Sequence, residues 1–312
     1  MRPCILGTRG SALSLCQAQI VQTRLEERGC ALTLKTIKAE ADQRPEISLT
    51  VMSGEGVFVK ELEQALLEGR IDLAVHSMKD LPLDHPPMLK IAAVLEREEP
   101  RDAFVSRSGE TFDHIASGSR IGTSSLRRQS QLLHRRQDVK FLEIRGNVDT
   151  RLRKLAEGQY DAIVLAACGL IRLGLEDRIT EYMDFSLMLP EPGQGALAIE
   201  VRADDEEVCE LIGTLDDPPS RSCVEAERAF LRALGGGCRV PIAAYAAPHD
   251  GNLELEGAVM AADGHRQLRG AMAGPMSDAV ALGERLAKQL ITQGAMSLLK
   301  PEGPRSSREE SG

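Results

Sequence analysis

Short apolar runs alternate with amphipathic stretches along the first two hundred residues. "CILGT" (4–8) is an apolar run. Ser11 then stands where a helix N-cap belongs, and Leu13, Leu15, Ile20, Val21 and Leu25 recur with helical spacing to about Arg28. "LTLKTI" (32–37) alternates as a half-buried strand does. "VFVKELEQALLEG" (57–69) is amphipathic and stops at Gly69, and "IDLAVHS" (71–77) reads as a buried strand. The β–α–β–α–β order predicts an α/β unit with a mainly parallel sheet.

The pattern restarts after "EREEPRDAFVS" (96–106). "SRIGTSS" leads into the helix "SLRRQSQLLHRRQ", "VKFLEI" reads as a strand and "NVDTRLRKLAEG" as a helix, and "YDAIVLAACGL" runs from strand to helix. "GQGALAIEVR" (193–202) is a late strand able to return to the first sheet. Beyond the turn-rich "DDPPS" come a helix, "SCVEAERAFLRALGG", two stretches of strand character, "VPIAAYA" and "NLELEGAVM", and a helix over Ser277 to Gly294. The expected organisation is one α/β lobe from 1–97 with 196–215, a second lobe from 98–195, and a third unit from 216–300. The polar tail 301–312 is expected to be disordered.

Composition narrows the class. A chain of 312 residues, 42% hydrophobic and 27% charged, is too long for one ordinary core and has the balance of a soluble globular protein. No apolar run approaches a membrane span, and "MRPCILGTRGS" lacks a signal-peptide core. A cytoplasmic protein without membrane partners is therefore expected. The seven cysteines are odd in number and form no CxxC, and the six histidines show no HExxH, so neither a disulfide framework nor a metal site is expected. Most of the thiols, as in "LAACGL", sit in apolar stretches and read as core.

The net charge of −9 is uneven. Residues 120–154 hold ten Lys and Arg against three Asp and Glu, a local excess of seven positive charges on an acidic chain. Such a patch suits an anionic ligand, although a solvated basic helix face would give the same count. With no Trp and 3% aromatic residues there are few platforms on which bases could stack, and no nucleic-acid partner is expected.

Three strand-to-helix junctions share small or hydroxyl residues beside arginine: "GTRGS" (7–11), "GTSSLRR" (122–128) and "RGNVDTR" (145–151). Helix N-termini attract anions, and a guanidinium fork matches a carboxylate. Singly, each could be an ordinary capped helix. Together they suit a cleft for a ligand with several carboxylates or phosphates. "AVHSMKDLP" (74–82) carries a strand into Lys79 and Asp80 before Pro82, where open α/β sheets bind ligands, although an Asp there can also simply stabilise a turn. Finally, "GGGCRVP" (235–241) clears side chains from around Cys238.

"AVHSMKDLP", "GTSSLRRQ", "RGNVDTRL", "LPEPGQGALAIE" and "ERAFLRALGGGCRVPI", in that order between about Ile5 and Ala247, together resemble the porphobilinogen deaminase family. The resemblance implies two α/β lobes like those of periplasmic binding proteins and a small C-terminal α/β domain, in an expected monomer. It implies a dipyrromethane cofactor bound covalently to Cys238, onto which four porphobilinogen molecules are condensed with loss of ammonia before hydrolysis releases hydroxymethylbilane. By the same resemblance Lys79, Asp80, Thr123, Ser125, Arg127, Arg128 and Arg151 would hold the cofactor. Arg9, Ser11, Arg145, Arg172 and again Arg151 would hold the incoming substrate. Asp80 would be the catalytic group, facing pyrrole N–H groups and stabilising the positive charge that develops on a ring, with the surrounding guanidinium groups keeping it ionised. The sequence departs from the family at Glu55, where a lysine is usual, and at Ala41-Asp42, where a glycine-aspartate pair is usual; both lie in a segment expected to be a loop near the cleft. Two other readings remain at this stage: a non-catalytic two-lobed receptor for a small anion, in which Cys238 has no task, and a cysteine hydrolase, for which the nearest histidine in sequence is His249.

Overall fold

The structure is a computed structural model that describes residues 3–37, 59–237 and 240–299. Cys238, Glu55 and Ala41-Asp42, together with the tail 301–312, lie outside the described residues.

The first sheet is built from β1 (Cys4–Thr8), β2 (Leu32–Thr36), β3 (Leu73–Ser77), β4 (Leu89–Val94) and β10 (Leu197–Arg202), in the order β2-β1-β3-β10-β4. Its central strands are covered on both faces, which is why β3 and β10 read as continuous apolar runs. Leu6, Leu73, Ile199 and Val201 pack on one face with Val21 and Leu25 of α1 (Ala12–Glu26) and with Val208 and Ile212 of α6 (Glu206–Gly213). Ala74 and Leu89 pack on the other with Leu62 and Leu66 of α2 (Lys60–Leu67).

The second sheet repeats the plan. It holds β5 (Asp102–Ser106), β6 (Arg120–Gly122), β7 (Lys140–Leu142), β8 (Ala162–Ala166) and β9 (Glu181–Tyr182), in the order β7-β6-β8-β5-β9. Its helices are α3 (Leu126–Arg135), α4 (Val148–Ala156) and α5 (Ala167–Arg172). In each sheet one strand, β10 or β5, runs antiparallel to both neighbours, with Ile199 opposite Val75 and Phe104 opposite Val164. Both reversed strands are entered by a crossing from the other sheet, 95–101 on the way out and 183–196 on the way back. The alternating strand–helix pattern carries no trace of that reversal, so the mainly parallel sheets each contain one antiparallel member.

The third unit is an antiparallel meander of β11 (Ile242–His249), β12 (Asn252–Met260) and β13 (Gln267–Pro275) under α7 (Pro218–Ala233) and α8 (Ala279–Thr292), followed by the short α9 (Ala295–Leu298). Phe230, Leu255, Leu282, Leu286 and Leu290 form its core. Gly283 lets α8 approach α7: a Cβ there would stand 2.2 Å from the Ala226 carbonyl oxygen. The sequence reading found two of the three strands. β13, "QLRGAMAGP", escaped because Gly, Ala and Pro give it little strand propensity and its residues are only partly buried or exposed.

One buried carboxylate fastens this unit to both crossings. Glu227 of α7 takes a two-point ion pair from Arg97 (2.6 and 3.1 Å) and accepts the backbone N–H groups of Gly193 (2.7 Å) and Ala246 (2.8 Å). No helix among the described residues is long and apolar enough to cross a membrane.

Candidate active site

The carboxyl ends of parallel strands carry every residue singled out above that the structure describes. β1 delivers Arg9 and Ser11, β3 delivers Lys79 and Asp80 in a single 3₁₀ turn, and β6 delivers Thr123, Ser125, Arg127 and Arg128. Arg145 and Arg151 follow β7, and Arg172 ends the helix after β8. The capping expectation for Ser11 holds. Ser11 Oγ accepts the Ser14 N–H (3.2 Å) and starts α1, Asn147 Oδ1 accepts the Thr150 N–H (3.1 Å) and starts α4, and Ser125 caps α3.

Lys79, Ser125 and Arg127 line one cleft, along with Glu191 and Pro192 of the returning crossing and Arg228, Leu231, Val240 and Ile242 of the third unit. Gly237 also lines it. The residue immediately before Cys238 thus stands on the same wall as the basic residues of both lobes.

Beneath the cleft lies an ionic network that the sequence reading missed. Asp102, at the start of β5, is fully buried and accepts from Arg127 Nη1 (2.7 Å) and from Arg128 Nε (3.0 Å) and Nη2 (2.7 Å). Gln194 Nε2 donates to the same carboxylate (3.0 Å) and to the Pro100 carbonyl (2.8 Å), while its Oε1 accepts from Lys79 Nζ (3.1 Å). Burial opposes the charge of Asp102, and the two arginines overcome it, holding the carboxyl far below its ordinary range. Arg128 Nη1 donates to the Val164 carbonyl (3.1 Å). Arg127 is different: its Nη1 is held by Asp102 and Leu189 O, but Nε and Nη2 are buried without a hydrogen-bond partner. Two buried guanidinium donors left without partners are uncommon, since buried polar groups are nearly always hydrogen-bonded.

The other arginines are placed differently. Arg145 pairs with Glu143 on β7's trailing loop, at 2.8 Å from its Nε. Arg172 donates to the Gly195 carbonyl (2.6 Å) and ties the second lobe to the returning crossing. Arg151 Nε donates to Gly146 O (2.7 Å); burial, and then the charge of Arg128, lowers its pKa to about 10. Thr123 is fully buried, its hydroxyl accepting the Ser125 N–H (3.2 Å), so it shapes the loop from below.

Asp80 keeps an accessible face, and its carboxyl pKa is raised above the ordinary value. Removal from bulk water by the surrounding protein is the main cause and the negative charge of Glu191 adds to it; Lys79, Arg9 and His76 oppose both without prevailing. The sequence reading counted guanidinium groups and overlooked Glu191, whose place opposite Asp80 is set by the crossing and by nothing local.

Of the described cysteines, Cys4, Cys30, Cys168 and Cys223 are buried, in keeping with their core reading, and burial pushes the Cys223 thiol up to about 12.

Comparison with known proteins places this geometry. The family described as "Porphobilinogen deaminase, dipyromethane cofactor binding domain" matches residues 4–210, and "Porphobilinogen deaminase, C-terminal domain" matches residues 221–292. A protein named porphobilinogen deaminase from Pelobacter propionicus is 48% identical over 297 residues, 95% of this chain and 96% of that one. Its namesake from Desulforudis audaxviator is 48% identical over 300 residues, 96% and 97% of the two chains. Among solved structures, the methionine-binding protein MetQ aligns with 68% of this chain and 89% of its own at 16% identity, with a TM-score of 0.45. Both family domains are present in order, so the chain belongs to the porphobilinogen deaminase family, and its cofactor is a dipyrromethane.

Proposed function

We propose that this chain is a hydroxymethylbilane synthase, condensing four porphobilinogen molecules head to tail with loss of ammonia and releasing the linear tetrapyrrole by hydrolysis. The observation that carries the reading is the cleft whose lining brings Gly237, next to Cys238, together with Lys79, Ser125 and Arg127, a guanidinium with two unpartnered donors. That donor set fits a dipyrromethane tethered at Cys238. Each of its rings carries an acetate and a propionate, and the cleft offers a lysine, a hydroxyl and a half-vacant guanidinium. When bound, the dipyrromethane supplies the electron-rich pyrrole carbon that primes chain growth.

In this reading Arg127 binds cofactor carboxylates, while Arg128, Gln194 and Asp102 fix its position. Thr123 and Ser125 shape and cap the same loop, and Arg151 adds positive charge beside Arg128. Lys79 is oriented by Gln194. Arg9, Ser11, Arg145 and Arg172, at three other strand ends, take the carboxylates of incoming porphobilinogen. Asp80 accepts hydrogen bonds from pyrrole N–H groups and stabilises positive charge where it develops on a ring. Its pKa, raised above the ordinary carboxylate value, makes it a better proton acceptor than a solvated aspartate. The lobes, both crossings and the third unit that form the cleft all belong to one chain, which supports a monomer, and the reading has it work in the cytoplasm.

The test is stoichiometric. Purified protein given porphobilinogen should release one ammonia per molecule consumed and one hydroxymethylbilane per four. Saturable binding without ammonia release would leave a receptor and overturn the synthase. Hydrolase chemistry draws no support from His249, which stands exposed beside Asp250 at the end of β11.

A further inference from the structure

On the first lobe, three side chains outside the cleft converge with their donor atoms idle. Glu200 sits in the middle of β10, fully buried, in the otherwise apolar run "LAIEV". Its Oε2 is taken by His76 Nε2 of β3 (3.1 Å), a diagonal contact across the sheet since His76 pairs with Ala198 and Glu200 with Ala74. Its Oε1 is buried with no partner. His85 Nδ1, from the loop between β3 and β4, lies 3.7 Å from that oxygen and is likewise buried and unpartnered, as is Oε1 of Glu63 on α2. The three ligand atoms all lie within 4.8 Å of one another.

An ordinary ion pair would not leave three converging polar atoms unsatisfied, because each loses the hydrogen bond it had in water. We propose that Glu63, His85 and Glu200 form a binding site for a divalent first-row transition cation of the Zn²⁺ class. One imidazole nitrogen and two carboxylate oxygens are a donor set for such an ion, and three protein ligands leave a position for water. Mg²⁺, which prefers oxygen donors and its own hydration shell, fits less well. Bonds of about 2.0–2.2 Å draw the donors closer than they stand here, and Glu63, only partly buried, is the side chain with room to move.

The surroundings agree. His76 fixes the second oxygen of Glu200 as an outer-shell partner does. Burial works against the charge of Glu200, but His76 and His85 overcome it and hold its pKa at about 2, so the donor is a carboxylate. Burial, then the nearby charge of Glu200, raises Glu63, a repulsion that a cation would relieve. Arg228 Nη2 lies 3.4 Å from His85 Nε2, at the limit of a hydrogen bond. With an ion on Nδ1 the ring's N–H moves to Nε2, where it meets another donor, Arg228 Nη2, so binding requires that guanidinium to give way. The site joins α2, the loop after β3 and β10, and no sequence motif announces it because the ligands come from three separate segments.

The test uses the whole cofactor-bearing protein, stripped with a chelator and titrated with Zn²⁺ against a chromophoric competitor. Wild type should bind one equivalent and melt at a higher temperature with Zn²⁺ present. His85→Ala and Glu63→Gln should each weaken binding at least tenfold and abolish the shift in melting temperature, while both still fold. Mg²⁺ should not compete at tenfold excess. Absence of a bound equivalent in wild type, undiminished affinity in both variants, or displacement of Zn²⁺ by that excess of Mg²⁺ would each overturn the site.

Discussion

Asp80 and Arg127 show how far one position can be read alone. That a carboxylate follows β3 and a pair of arginines follows Ser125 is plain from the letters, because strand ends, caps and prolines are local signals. Their electrostatic state is not local. Glu191 acts on Asp80 from a segment more than a hundred residues away and adds to the burial that raises its pKa. The acid limb of the pH–rate profile should therefore lie above the ordinary aspartate range, activity falling as pH drops and Asp80 gains its proton. Glu191→Gln removes a like charge, lowers the Asp80 pKa and should move that limb to lower pH. Asp80→Asn should lower kcat by about 10²–10⁴ with a much smaller change in KM, since the lost interaction belongs to charge and proton transfer in the transition state. An unmoved acid limb in Glu191→Gln, or near-normal kcat in Asp80→Asn, would reduce these residues to turn and surface roles.

At the scale of elements, the helices and most strands were legible because each has its own periodicity and punctuation. Ser11 caps α1 as expected, and Ser125 and Asn147 cap α3 and α4 in the same way. The exceptions are β4, β5, β9 and α6, for which the pattern gave no expectation, β13, with little propensity, and the reversal of β5 and β10, which depends on the chain's route. Asp102 escaped for a related reason: a single acid opening the strand "DAFVS" looks like a strand terminus until two arginines from α3 are seen to converge on it. Asp102→Asn leaves those guanidinium groups buried with a weaker acceptor, and removing one partner of a buried ion pair costs about 3–5 kcal/mol. Denaturant unfolding should show a loss of that size near neutral pH. The difference should shrink only in strong acid. A carboxyl held below its unfolded value stabilises the fold above the ordinary aspartate pKa and loses that contribution as pH falls through its depressed folded value. A loss under about 1 kcal/mol would mean that the arginines find other partners and that Asp102 does not organise the cleft.

The whole molecule joins what the sequence keeps apart. Two crossings, 95–101 and 183–196, carry Arg97, Gly193 and Gln194 to the place where Glu227 and Asp102 gather the lobes and the third unit. The architecture could be expected from the order of the motifs, but the buried polar ties between units could not, because their partners lie 34, 92 and 130 residues apart and share no local signal. Glu227→Gln should loosen the third unit from the lobes. Limited proteolysis should then cut the crossings faster than in wild type, and equal rates would place the linkage elsewhere. The central claim is that this assembly exists to hold a dipyrromethane on Cys238 against the basic cleft. The intact mass of the purified protein addresses it directly. Wild type should exceed the mass of its polypeptide by two joined pyrrole units, and Cys238→Ser should show the bare chain and no synthase activity; wild type without the excess, or Cys238→Ser retaining it, would contradict the claim.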